Sequence, residues 1–396
     1  MCDTPSDIPD RLVADVDIFN LDGFQNDVQL AWHRLQQTYP DIFWTTKNGG
    51  HWIATRAVDI RHIQSEHRFF SNSQIFIPAT QLPSQLVPLN LDPPEHGPFR
   101  AIFAPAFTPS ALDVLELRAR TIAVELIDSL RPKGECEFVR DFAEKLPIIV
   151  FLNMMDLPLK DREYLLGLSH QNVAPSTPEQ RVEAHKLLAA YIGSHLEKRK
   201  KKPGTDLLSR IISASVGGRP IQPDEALSMS TLLLFGGLDT VASLMSFTIC
   251  FFATHPEHRR ELHQNSALRP AAIEEMIRRH GISNSVRIVR RDHEYKGVSF
   301  RQGDLVSLPT SLAGLDDREV DEPLVVNFHR KRSKHAAFGH GPHVCPGSML
   351  ARRELSVLLE EWLYRIPDFE LKSGSKPVFR AARLNGVSEL QLQWAP

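Results

Sequence analysis

Phe338-Gly339-His340-Gly341-Pro342-His343-Val344-Cys345-Pro346-Gly347, followed by a helix-forming stretch at 348–364, decides how the whole chain is read. The glycines permit a tight turn, and the turn delivers one thiol, Cys345, to a helix N-terminus. Peptide dipoles and unpaired N–H groups there favour a thiolate over a thiol. A lone thiolate lacks the partners of a tetrahedral zinc site and suits a metal whose other ligands belong to a cofactor. For such a residue taken alone, a buried structural cysteine behind a glycine-rich turn is the plainer alternative.

Upstream, Gly236-Gly237-Leu238-Asp239-Thr240 interrupts the most apolar stretch, 232–253. Inside a helix each Gly costs ~1 kcal/mol against Ala, and Asp and Thr are poor residues for a buried centre. That cost is accepted where something must approach the backbone, and Thr can bond the carbonyl one turn back and open the helix. Close helix packing through small residues is the alternative. The stretch is long enough to cross a bilayer, but a mid-segment Asp and two Gly favour a buried helix in a soluble fold. Glu275-Met276-Ile277-Arg278 sets an acid and a base at i and i+3, which by itself reads as a surface ion pair.

The rest of the chain frames these motifs. Amphipathic helices are expected over 111–130, 178–202, 224–254 and 271–280, the second opened by Thr177-Pro178. Short strands are expected at 43–45, 52–55, 286–289, 305–308 and 389–393, so any sheet is assembled from distant pieces. The proline-spaced segment 76–94 reads as a long surface loop. With 396 residues, 42% hydrophobic and 24% charged, there is ample material for a core. One large, mainly α domain over 1–396 with a minor β region (43–55, 286–310 and 376–396) fits best. A net charge of −2 points to neither nucleic acid nor a membrane surface. The four cysteines, Cys2, Cys136, Cys250 and Cys345, share no CxxC spacing, which suits a reducing cytoplasm. The N-terminus has neither the apolar run of a signal peptide nor an anchor.

Haem is the cofactor that a single thiolate suits, and Phe338-x-x-Gly-x-x-x-Cys345-x-Gly347 resembles the haem-binding loop of the cytochrome P450 superfamily. Gly236 to Thr240 resembles that superfamily's distal-helix signature. Glu275 and Arg278 resemble its Glu-x-x-Arg pair, with Arg330 as third member of a structural triad and Asn327 where relatives often have Asp. The resemblance spans nearly the whole chain and is nearest to the camphor-hydroxylating bacterial branch, as in Pro256-Glu257-His258-Arg259 and Arg365-Ile366-Pro367-Asp368-Phe369. It implies a triangular, mainly helical fold with haem between a distal helix near 224–254 and a proximal helix near 347–364.

The same resemblance assigns residues. Cys345 is the expected ligand of the iron of haem b, with Gly236, Phe338 and Gly347 against the macrocycle and His96, Arg100, Arg287 and His343 facing its two carboxylates. Thr240 and Asp239 are the expected catalytic pair that handles dioxygen and its protons. The expected substrate pocket is Phe76, Ser84, Leu89, Leu232, Phe235, Ser283, Val286 and Leu384. Ser84 stands where the camphor hydroxylase has a Tyr, and Phe235 where it has a Val, which argues for a terpenoid or norisoprenoid such as an ionone-like ketone over camphor. No flavin or nicotinamide motif is present, so electrons are expected from a two-iron ferredoxin and its NAD(P)H-dependent reductase. Arg100, Lys331, Arg332, Lys334, Arg352 and Arg353 are its expected cationic docking face on a monomer. A peroxide-driven peroxygenase, a haem isomerase or dehydratase, and a non-enzymatic haem sensor would share Cys345 and differ in their need for Asp239 and Thr240.

Overall fold

A computed structural model describes residues 8–395, so Cys2 lies outside the described residues. Most of the chain is helical, and the helices end where local chemistry says they should. Pro178–Lys201 opens with Pro in its first turn and Thr177 accepting from the Gln180 N–H at 3.4 Å, and closes on four basic residues that suit the negative end of the helix. Pro109–Leu130 is capped in the same way by Thr108. Pro223–Gly237 begins with a capping box between Gln222 and Glu225.

The expected helix over 224–254 is two helices. Pro223–Gly237 stops at the glycines, Leu238 and Asp239 leave the helix, and Thr240–Thr254 resumes it. The interruption coincides with a change of partners. Phe235 and Leu238 pack into an apolar cluster with Phe76, Phe103 and Phe151, whereas Ala242 to Ala253 pack into a second cluster around Trp362 and the sheet. The most apolar 18-residue window within Pro223–Thr254 has a mean hydropathy of 1.6, and most of that window is buried within the protein.

The main sheet has six strands in the order Val13–Ala14, Ile42–Thr45, His51–Ala54, Leu305–Pro309, Asn284–Val289 and Phe70–Ser71. The Leu305–Pro309 strand pairs antiparallel with Asn284–Val289, setting Val306 opposite Arg287 and Ser307 opposite Val286. This register fixes where Arg287 projects. The 389–393 strand is split between Gly386–Glu389 and Gln391–Gln393, which join different sheets.

Segment 76–94 has no regular structure, but it is no surface loop. Phe76, Ile77, Leu86 and Val87 are buried, and the Val87 N–H donates to Ser228 at 2.8 Å. Enough apolar side chains occur between its prolines to dock it against Pro223–Gly237, where it roofs the central cavity.

Candidate active site

Cys345 is delivered by backbone conformations that only glycine takes easily. Gly339 and Gly341 have φ of +79° and +74°, and a Cβ on Gly341 would lie 3.0 Å from the Gln64 carbonyl oxygen. The Cys345 N–H donates to the Phe338 carbonyl at 2.9 Å, locking the turn, and helix Ser348–Arg365 starts three residues on. The sulfur faces a cavity of about 360 Å³ that also reaches Thr240, Phe338 and Leu384. Burial pushes the thiol pKa up, while the Gly347 N–H, Arg100 and Arg352 oppose that shift. The helix terminus therefore does not by itself secure a thiolate here. A metal cation at the sulfur would.

At one edge of the cavity stand basic side chains that lack carboxylate partners among the described residues. Arg287 is 4% exposed and donates only to its neighbour's carbonyl, Val286 O, at 2.9 Å. Arg100 donates to the Val344 carbonyl. The buried Nε2 of His343 has no partner, and burial, then Arg287, His96 and Arg100, push its pKa down to about 3. A flat group bearing two carboxylates, bound between Cys345 and Gly236, would supply the missing anions. These residues fit haem.

Opposite Cys345, each glycine of the interrupted helix has its own reason. A Cβ on Gly237 would come within 2.4 Å of the Phe151 ring, so packing excludes a side chain there. A Cβ on Gly236 would meet nothing within 4 Å, because it would point into the open cavity. Thr240 donates its hydroxyl proton to Gly236 O at 2.9 Å, leaving oxygen lone pairs for the cavity. Asp239 turns away and is 4% exposed. It accepts from Ser169 and lies 3.3 Å from His170 Nε2, which also lies 3.1 Å from Glu144. Hydrogen bonds to Asp239 and then Glu144 push the His170 pKa up to about 10.

A family model described as cytochrome P450 matches residues 152–384. The chain belongs to the cytochrome P450 family. It is 34% identical over 99% of its length to a probable cytochrome P450 127A1 of Sinorhizobium fredii, covering 97% of that relative. It is 30% identical to a mycinamicin IV hydroxylase/epoxidase of Micromonospora griseorubida, covering 87% of this chain and 85% of the other. Among solved structures, CYP101J2 superposes with a TM-score of 0.92 at 34% identity over 100% of both chains. CYP101C1 does so with 0.90 at 37% identity over 99% of this chain and 100% of the other. The protein is accordingly a cytochrome P450 monooxygenase, an oxidoreductase that uses haem b and dioxygen.

Within this P450, several residues lie elsewhere than the sequence suggests. His96 is buried but does not line the cavity; its ring packs 4.3 Å from that of His343 and backs it. Ser84 is also off the cavity. Its hydroxyl is 2.8 Å from His185 Nε2, and the His185 ring stacks on Phe235 at 5.5 Å. Phe76, Leu89, Leu232, Phe235, Ser283, Val286 and Leu384 all line it, with Ser283 and Leu384 drawn together by the β-bridge between them. Of the expected docking face, Arg100 turns inward, Arg352 pairs with Glu274 at 2.5 Å and Arg353 with Glu116 at 2.6 Å, leaving Lys331, Arg332 and Lys334 exposed.

Glu275 and Arg278 are fully buried, so theirs is no surface pair. Arg278 Nη2 lies 2.8 Å and Arg330 Nε 3.0 Å from Glu275, which also accepts from the Asn327 N–H at 3.2 Å. Burial alone would raise the Glu275 pKa, but Arg278 holds it below the usual range. Arg278 further donates to the carbonyls of Gly314, Pro323 and Val325, stitching its helix to the segment that leads to Cys345. Asn327 costs nothing here, because its backbone makes the contact.

The sequence gives no sign of Ser169, His170 and Glu144 around Asp239, because they arrive from helices remote in the chain. Nor does it point to Arg383, which lines the cavity, or to Arg181, which packs on the cavity residue Phe76. An isolated arginine carries no spacing signal.

Proposed function

We propose that Cys345, as thiolate, is the axial ligand of the haem iron, and that the enzyme hydroxylates a C–H bond of a small hydrophobic terpenoid or norisoprenoid. The overall change is R–H + O2 + 2 electrons + 2 protons to R–OH + H2O, with the electrons drawn from a two-iron ferredoxin and its NAD(P)H-dependent reductase. One observation carries the reading: a single thiol in a largely apolar cavity faces a helix opened at Gly236, with the Thr240 hydroxyl turned toward the same space. When bound, the haem supplies the one-electron chemistry that activates dioxygen. The chain positions and protonates. Thr240 offers a hydrogen-bond acceptor over the cavity, and Asp239 connects that side to the half-exposed His170, a route for solvent protons.

The lining favours an apolar body with few polar groups. Phe235 narrows the pocket and Ser84 is engaged with His185, so an ionone-like ketone should bind better than camphor. Lys331, Arg332 and Lys334, exposed near the Cys345 loop, are the proposed contact for an acidic ferredoxin. The chain works as one domain, as a cytoplasmic monomer.

The test is the ferrous–CO spectrum with oxygen uptake in the presence of a ferredoxin and reductase. Cys345→His should abolish the red-shifted thiolate band and oxygenation, whereas Cys136→Ser and Cys250→Ser should keep both. Persistence of that band in Cys345→His refutes the assignment.

A further inference from the structure

One guanidinium group, Arg383, lines the cavity beside Phe76, a second, Arg181, packs on the same ring, and neither has a carboxylate partner among the described residues. Arg383 lines the cavity, its Cζ 5.4 Å from the centre of the Phe76 ring. Arg181, 7% exposed, lies 4.4 Å from the same centre. Arg181 has two neutral partners, the Asn172 carbonyl at 3.0 Å and the Thr80 hydroxyl at 3.5 Å. The Arg383 guanidinium has no acceptor among the described residues.

Buried arginines away from the cavity are paired, Arg278 with Glu275 at 2.8 Å and Arg199 with Asp206 at 2.7 Å. A buried cation without a counter-charge is costly, and a bound anion would offset that cost. Burial pushes both Arg181 and Arg383 down to about 10, which leaves them cationic at neutral pH. The haem carboxylates do not account for them. Among charged neighbours, His343 feels Arg287, His96 and Arg100, whereas Arg181, pushed down first by burial, feels Arg383 and none of that group. Asn172 adds a neutral donor. It lines the same cavity, its buried side-chain oxygen has no hydrogen-bond partner, and rotation of the amide turns its NH2 group there.

We propose that the substrate carries a carboxylate, bound by Arg383 with Asn172 beside it and Arg181 reinforcing the positive potential. This rests on the monooxygenase reading and narrows its substrate class to small terpenoid-sized acids. The apolar body lies against Phe76, Phe235 and Leu384, which directs the end remote from the acid toward Cys345 and Thr240. The carboxylate takes no part in the oxidation; it sets which carbon is presented.

Perillic acid, its methyl ester and limonene share one carbon skeleton and differ in the head group. Titration calorimetry on the haem-loaded protein at pH 7.5 should find the acid bound ~10-fold or more tightly than the ester, the worth of a charge-assisted hydrogen bond. Arg383→Leu should abolish the preference and leave ester affinity within about 2-fold, while Arg383→Lys should retain part of it. Equal affinity for acid and ester in the unaltered enzyme overturns the proposal, and needs no variant. So does an intact preference in Arg383→Leu, and so does loss of haem from that variant, which would put Arg383 on a haem carboxylate. Failure of the monooxygenase reading registers separately, as a missing thiolate band in the ferrous–CO spectrum, because calorimetry needs no iron chemistry.

Discussion

His170 Nε2 stands 3.3 Å from an Asp239 carboxylate oxygen, so a half-exposed imidazole is tied to the buried acid at the break in the cavity helix. Raised to about 10 by Asp239 and Glu144, His170 is protonated at neutral pH. Its folded pKa exceeds the ~6.5 of an unfolded chain. The stability it contributes is therefore complete below pH ~6.5 and is lost as pH rises through 10. Solvent screening of this half-exposed group limits the effect to on the order of 1 kcal/mol. Urea unfolding midpoints of the native enzyme should fall between pH 7 and 10, and His170→Gln should flatten that slope. Parallel profiles for the two proteins would show that His170 is not ion-paired.

The division of labour between Asp239 and Thr240 predicts two different defects. Thr240→Ala removes the hydroxyl that Gly236 orients, so oxygen and reductant should still be consumed while product per electron pair falls ~10-fold and hydrogen peroxide appears. Asp239→Asn keeps the hydroxyl but weakens the link to His170, so turnover should fall by about 10²-fold with coupling largely preserved. Product and peroxide measured against NADH consumed distinguish them. Full coupling in Thr240→Ala would remove the hydroxyl from the mechanism.

How much of this was legible beforehand divides along physical lines. The Cys345 loop, the Gly236 to Thr240 break and the Glu275 pair carry chemistry in residues close along the chain, and those patterns were readable. The helices at 178–202 and 271–280 are readable too, because the Thr177 cap of the first and the periodicity of both are local. What escaped depends on distant pieces meeting. Ser84 aligns with a pocket position, yet His185, from a helix that the alignment could not orient, takes its hydroxyl. Arg352 and Arg353 read as free surface charge until Glu274 and Glu116 arrive from other helices. Segment 76–94 read as surface because proline spacing says nothing of what lies beneath.

The two glycines at the break should respond oppositely to a methyl group. Gly237→Ala sets a Cβ against Phe151 with no room, and overpacking of this kind costs roughly 1–3 kcal/mol. Gly236→Ala meets no protein atom within 4 Å and gains helix propensity, so stability should hold or rise by up to ~1 kcal/mol. The methyl enters the cavity, however, and Gly236→Ala should weaken substrate binding in spectral titrations. Thermal unfolding of both variants checks the ranking, and a Gly237→Ala protein as stable as the parent would contradict the Phe151 contact.

Pro346 offers the last test, because it lies between the proposed ligand and Gly347, whose N–H opposes the rise in the Cys345 thiol pKa. A residue other than proline at 346 would bring a second N–H to the same turn. Hydrogen bonds to a ligating sulfur withdraw charge from it and raise the iron's reduction potential. The missing donor should therefore leave Cys345 a stronger electron donor and the potential lower. Proline has little structural work to do here, since helix Ser348–Arg365 begins two residues later and Gly347 takes the capping position. Pro346→Leu and Pro346→Ala should both raise the ferric/ferrous potential in spectroelectrochemical titration of substrate-free enzyme, with thermal stability little changed. Because the two side chains differ in bulk and share only the restored N–H, a rise in both isolates the hydrogen bond. A rise in Leu alone would trace the effect to packing, and no rise in either would leave Pro346 as a residue that merely shapes the turn.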